Sequence, residues 1–420
     1  MIQISALVVT ALLLQAPSLD SPNQKERQTA IEQMAKPGNI AAIPAFEAAL
    51  KKEPKSEVRA QVLSGLVRIG GSAIPPILAR SLATDLDKDV RLQAVESIQR
   101  FYIPAPDTGT LKTLFNTAKN VVASPQRPTL PAGVVTDKVA TDALSTAMQR
   151  DAIEDVRAAS ARVLGNLMAK AYVPDMITTL EDPQNMDHKG VRKEIVMSLG
   201  TIRDASAGPA LQKTLRDRDA GIMTESIIAL GLMGYKPARP QLEDIFRTDT
   251  RREMKEQAIE SLAMLRDPGG KPLFESLLPS MNDFYREKAA EGLARTDYDA
   301  SGLTEILKME KKANVRNAMT FALVSSNHDE YINELTNALN SRLSAQAEMY
   351  IFELGKYRGK VALLNGYLRS SDPKVRAGVA KILGQIKDPS SRGPLDELTK
   401  DPDTNVMREA VNALRQYNTR

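Results

Sequence analysis

The chain has no cysteine and no tryptophan, only two histidines, and aromatic residues at 4% of its 420 positions. Without cysteine there is no disulfide, no thiolate nucleophile, no zinc–sulfur site and no lipid-modified N-terminal Cys. The two histidines, His188 and His328, lie 140 positions apart, and neither has a second histidine four residues away, so a histidine-rich metal site is nearly excluded. No G-x-S-x-G, Walker A or Rossmann glycine signature occurs. Net charge is +4, from 56 basic and 52 acidic residues, which describes a mixed surface rather than one built for polyanions.

What the chain does have is a repeat. Gly190-Val191-Arg192-Lys193-Glu194-Ile195-Val196-Met197-Ser198-Leu199-Gly200 is one copy of it. With the Arg numbered 0, position −1 is mostly Val and position +7 is always apolar: Met34, Leu66, Ile98, Leu164, Leu199, Leu230, Leu262, Leu293, Leu323, Leu354, Leu383 and Leu414. The spacing is close to 31 residues except for one gap of 66, about two periods. Self-similarity at this period marks a solenoid, in which each unit contacts only its neighbours. Within a copy, positions −1, +3, +4, +6 and +7 are apolar or small and +1, +2, +5 and +9 are usually polar, which is one buried stripe at helical period. A second helical signal precedes most copies, often opening on a proline (Pro44, Pro174, Pro209, Pro240, Pro272, Pro394), where the lost N–H costs no helical bond. Each unit is therefore a helix pair joined to the next by an Asp-rich turn. Twelve units are expected, with second helices near positions 27, 59, 91, 157, 192, 223, 255, 286, 316, 347, 376 and 407.

Two stretches depart from the pattern. The apolar run 4–14 is too short to span a bilayer, for which about 20 residues are needed. With Ala16-Pro17-Ser18 after it, it reads as a signal peptide, residues 1–18, cleaved before Leu19, although no basic residue precedes it. That places the mature chain in the periplasm or outside the cell; an uncleaved run would be the first helix of a cytoplasmic scaffold. Between 103 and 136 the repeat breaks around prolines 104, 106, 125, 128 and 131, with helical spacing of apolar residues at 111–121. This proline-rich insertion is either a functional loop or a decayed repeat.

The Pro-bearing first helix, the turn acids Asp217 and Asp372, and the Val-Arg pairs at 58–59, 90–91, 156–157, 191–192, 315–316 and 375–376 resemble HEAT repeats, particularly the short bacterial kind also seen in phycobilin lyase-like proteins. The resemblance implies an all-α, right-handed solenoid of stacked helix pairs, an armadillo-like superhelix with the second helices lining its concave face. It also implies that Arg59, Arg91, Arg157, Arg192, Arg286, Arg316 and Arg376 form a structural ladder with turn acids, interrupted where Met223, Ala347 and Met407 replace the Arg. HEAT-like deoxyhypusine hydroxylases hold iron with His-Glu pairs; here His188 is followed by Lys189 and His328 by Asp329. HEAT-like alkylpurine glycosylases use aromatics and a basic groove on DNA, and neither is expected in this chain.

Local chemical motifs dissolve into turns. Ser371-Asp-Pro-Lys374 fits S-x-x-K but lacks the S-D-N and K-T-G elements that chemistry requires. Asp85–Asp89 and Asp401–Asn405 begin like calcium loops, but Val90 and Val406 stand where the loop needs Gly. No catalysis, cofactor or metal is therefore expected. The outward positions are more telling. Met197, Ile228, Phe321 and Phe352 occupy +5, Leu232 and Met264 occupy +9, and Glu194, Glu225, Glu256, Glu260, Glu287 and Glu291 lie among them. Exposed apolar residues in a strip mark a contact surface, unless superhelical curvature buries them. The strip Met197, Ile228, Leu232 and Met264, bordered by Glu225, Glu256 and Glu260 and extended by Phe321 and Phe352, points to a scaffold or adaptor that binds a basic, amphipathic protein segment rather than nucleic acid. An accessory factor of lyase-like type, holding a cofactor or a modified protein in the groove, and an intracellular assembly scaffold remain the alternatives.

Overall fold

A computed structural model describes residues 18–104 and 127–418. The run 4–14 and the apolar spacing at 111–121 lie outside them. The expected all-α solenoid of helix pairs forms, and no strand occurs among the described residues. Each second helix contains its position 0: Gln24–Met34, Ser56–Ile69, Lys88–Tyr102, Glu154–Asn166, Lys189–Ile202, Ala220–Met233, Arg252–Met264, Asp283–Ala294, Ala313–Ser325, Ser344–Arg358, Pro373–Ile386 and Thr404–Asn418. Among the described residues, no helix is long and apolar enough to cross a membrane. The described residues divide into two compact units, 18–104 with 136–163, and 127–135 with 164–418.

Local chemistry explains where these helices start. Proline occupies the first turn of Ile43–Lys52, Val173–Glu181, Gly208–Thr214, Arg239–Thr248 and Lys271–Leu277, the one place where its missing N–H is not needed. Asp87, Asp219 and Asp372 cap second helices by accepting N–H bonds from the first turn, which satisfies donors the helix cannot. The +7 side chains from Leu66 to Leu383 are all 3% exposed or less. Met34 and Leu414, in the first and last units, are half-buried.

The arginines tie consecutive units together. Arg59 donates through Nε and Nη2 to both oxygens of Asp85, 26 residues on, while its Nη1 donates to the carbonyls of Glu53 and Pro54 in its own turn. The Asp85 carboxylate in turn accepts the N–H of Asp87. The same arrangement joins Arg27 to Glu53, Arg91 to Asp151, Arg286 to Glu310 and Arg376 to Asp401. Arg192 pairs with Asp217. Arg157 donates to the Met148 carbonyl. Arg316 turns instead to Glu334 on the following first helix, because Ser341 stands where the turn acid would be. Where Met223 replaces the Arg, the turn acid Asp249 is held by Arg251 two residues away. The suspected calcium-loop residues are thus used: Asp85 and Asp401 are ladder acids, and Asp87 and Asp403 cap the next helix.

Candidate functional site

Close packing of second helices creates the site. Gly200 and Gly231 sit at equivalent positions in Lys189–Ile202 and Ala220–Met233. A Cβ on Gly200 would lie 2.7 Å from the Cβ of Ala229, and one on Gly231 would lie 2.7 Å from that of Ser261. Only glycine lets the three helices approach this far, and Gly200, Ala229 and Ser261 line the furrow between them. Its walls are Met197, Ile228, Leu232 and Met264, joined by Met168 and Leu130. The cavity measures about 500 Å³ and is also lined by Glu225, Gln257 and Glu260. Leu232 is 38% exposed, and Met197, Ile228 and Met264 are half-buried. Four apolar strip residues expected from the sequence thus line one surface.

Its polar groups are unevenly satisfied. Glu225 is half-buried with Lys193 3.8 Å away, and burial raises its carboxyl above the usual range. Glu260 is 8% exposed; burial raises its carboxyl too, against the pull of Lys288 at 3.7 Å. Its Oε2 has no hydrogen-bond partner. Opposite in character is Arg127, from the proline-rich insertion. The Leu130 N–H donates to the Asn166 carbonyl at 2.8 Å and pins this segment to a helix end. Arg127 Nη2 donates to Glu194 at 2.6 Å and touches Met197 Sδ, while buried Nη1 has no partner. Nothing in the pattern marks Arg127, because the insertion has no periodicity; the one available signal is that the repeat breaks there.

Three of the expected border and extension residues lie elsewhere. Phe321 is 1% exposed and stacks flat on Tyr350 with ring centroids 4.7 Å apart, so it belongs to the core and does not extend the strip. Phe352 packs edge-on against Tyr357. Glu256 is ion-paired to Arg252 and does not line the cavity. Glu287 and Glu291, expected to be outward, form a buried cluster with Lys288, Arg295 and Tyr350. Lys288 lies 2.9 Å from Glu291 and 3.7 Å from both Glu260 and Glu287. The Tyr350 hydroxyl donates to Glu291 at 2.6 Å. The Lys288 and Arg295 charges overcome burial and hold the Glu291 carboxyl down at about 2, whereas burial raises Glu287.

The molecule is thus a helix-pair solenoid with an apolar, acid-edged groove across neighbouring second helices. The chain belongs to the HEAT-repeat family, whose family model matches residues 10–99, 184–263 and 361–420. It is similar to deoxyhypusine hydroxylase-B of Oryza sativa subsp. japonica, 26% identical over 260 residues, which covers 60% of this chain and 83% of that protein. Among solved structures it is similar to human deoxyhypusine hydroxylase in complex with glycerol, at 15% identity and a TM-score of 0.29, over 83% of this chain and 99% of that one. The complex of CpcE and CpcF of phycocyanin lyase from Nostoc sp. PCC7120 matches at 15% identity and a TM-score of 0.38, over 70% and 100%.

The likeness to an enzyme overturns the expectation that the chain has no catalysis. That expectation rested on the absence of local motifs, and a site assembled from several repeats need not leave one. The donor set does not fit the iron that the hydroxylase resemblance implies. His188 precedes the helix Lys189–Ile202, His328 lies 3.5 Å from Glu330, and among the described residues no three His, Cys, Asp or Glu side chains group to hold a metal.

Proposed function

We propose that the groove between Lys189–Ile202, Ala220–Met233 and Arg252–Met264 docks a basic, amphipathic segment of a partner protein. The continuous strip of Met197, Ile228, Leu232 and Met264 beside Glu225 and Glu260 carries this reading. Methionine side chains adapt to varied apolar surfaces, and the carboxylates favour a cationic edge on the partner. Changing Ile228 and Leu232 together to Asp tests it, with an amphipathic peptide of leucine and lysine as the probe. The peptide binds the unaltered protein, and the double variant loses it while keeping its helical circular dichroism and melting temperature. Unfolding of the double variant would show that these side chains are core; unchanged affinity in a folded variant would move the binding surface elsewhere.

The likeness to deoxyhypusine hydroxylase-B favours a second reading, in which the docked segment is a substrate. Mass spectrometry of a captured partner before and after incubation separates the two readings: a mass change dependent on an intact groove supports the second.

A further inference from the structure

The groove contains two buried, unpartnered polar atoms of opposite character, Glu260 Oε2 and Arg127 Nη1. Behind Glu260, four carboxylates (Glu260, Glu287, Glu291, Glu353) meet three cations (Lys288, Arg295, Arg266). Lys288 donates its hydrogen bond to Glu291 and stands farther from Glu260. Arg295 and Arg266 are engaged by Glu291 and Glu353. The cluster is therefore short of one positive charge, and Glu260, whose buried Oε2 is left unpartnered, is one of the residues lining the groove. At Arg127, which lines the same cavity, the shortage is of an acceptor: Nη2 is used by Glu194, and buried Nη1 has nothing to receive its proton.

We propose that the docked segment places one basic side chain on Glu260 Oε2 and one acceptor, a backbone carbonyl or a carboxylate, on Arg127 Nη1. This rests on the docking reading above and deepens it, because it names what the groove selects. A buried carboxylate that gains a charged donor exchanges an unsatisfied oxygen for a charge-assisted bond, the stronger class of hydrogen bond. The apolar strip supplies contact area for the stem of the basic side chain and for its neighbours.

The test uses two amphipathic peptides that differ at one central position, lysine in one and norleucine, which keeps the stem and drops the charge, in the other. Against the unaltered protein, the lysine peptide binds tighter by about ten- to a hundredfold. Glu260→Gln erases that preference, while Arg127→Met weakens both peptides by the same factor. Equal binding of the two peptides to the unaltered protein overturns the inference without any variant, so a folding defect in Glu260→Gln does not shelter it. A lysine preference that survives in folded Glu260→Gln overturns it as well. If neither peptide binds, the docking reading itself fails, a result distinct from loss of the preference alone.

Discussion

Arg59→Met tests whether the ladder holds consecutive units together. The substitution keeps most of the side chain's apolar bulk and removes the guanidinium. It deletes two 2.8 Å bonds to Asp85 and the Nη1 bonds, of 3.0 and 3.3 Å, to the Glu53 and Pro54 carbonyls. The side chains of Arg59 and Asp85 are 14% and 11% exposed, so water reaches little of what is left behind. Removing one partner of a buried ion pair costs about 3 to 5 kcal/mol. Asp85 keeps the Asp87 N–H, which sets the expectation at the low end, about 3 kcal/mol. Reversible urea unfolding of Arg59→Met, Asp85→Asn and the double variant gives the coupling, expected at about 2 kcal/mol by a double-mutant cycle. The pair is shielded, so the loss changes little with salt. Hydrogen exchange should accelerate first in the helices Ser56–Ile69 and Lys88–Tyr102, because a repeat is stabilised mainly by its neighbours. If folded Arg59→Met lies within about 0.5 kcal/mol of the parent, the range of an ordinary surface change, the ladder is not structural.

Leu230→Ala, at a fully buried +7 site, should lower stability by about 2 to 5 kcal/mol in the same assay, with exchange changing around residues 209–262. Gly231→Ala should destabilise by about 1 to 3 kcal/mol although alanine is the better helix former, because its Cβ would press on Ser261; a rise in melting temperature would contradict the close approach. The Glu291 carboxyl is held near 2 against an ordinary 4.5, so its contribution is present above pH 4.5 and lost as pH falls towards 2. Glu291→Gln should remove that acid dependence and cost about 3 to 5 kcal/mol at neutral pH; an unchanged acid limb of stability against pH would refute the assignment.

The repeat was legible because burial recurs with it. Leu199, Leu230 and Leu262 share one environment, so one reading served all three. The ladder's Arg was legible for the same reason, but its acid was only partly so. The partner of Arg192 is the turn Asp217, whereas Arg316 reaches Glu334 on a first helix, a choice made by a missing acid rather than by any pattern. The site residues divide along a physical line. A helical wheel treats one helix alone, and it placed Ile228 and Phe321 at the same outward position. Ile228 lines an open groove; Phe321 is covered because Tyr350 from the next second helix lies flat on it. The wheel puts Glu287 and Glu291 outward for the same reason, and their burial depends on Lys288 and Arg295 lying between neighbouring helices. A single wheel contains none of that cross-helix information.

Position +5 changes character along neighbouring second helices, and the change locates the groove. It is Met197 and then Ile228, both partly open; then Glu260, buried with one free oxygen; then Glu291, fully paired; then Phe321, closed beneath Tyr350. The surface is therefore open and apolar on one side of Glu260 and filled by the protein's own charges and rings on the other. Glu260 stands at the boundary, where the internal ion network runs one cation short. Arg127 meets the open side at Glu194 and Met197 and supplies the opposite charge. A strip of methionine and aliphatic residues alone would favour contact without fixing register. With a buried acceptor and a buried donor at its edges, a partner that supplies a match to either one gains a charge-assisted hydrogen bond that a partner leaving it unmatched does not. In the docking reading we propose, specificity comes from the two polar atoms, and the apolar strip supplies the area over which they act.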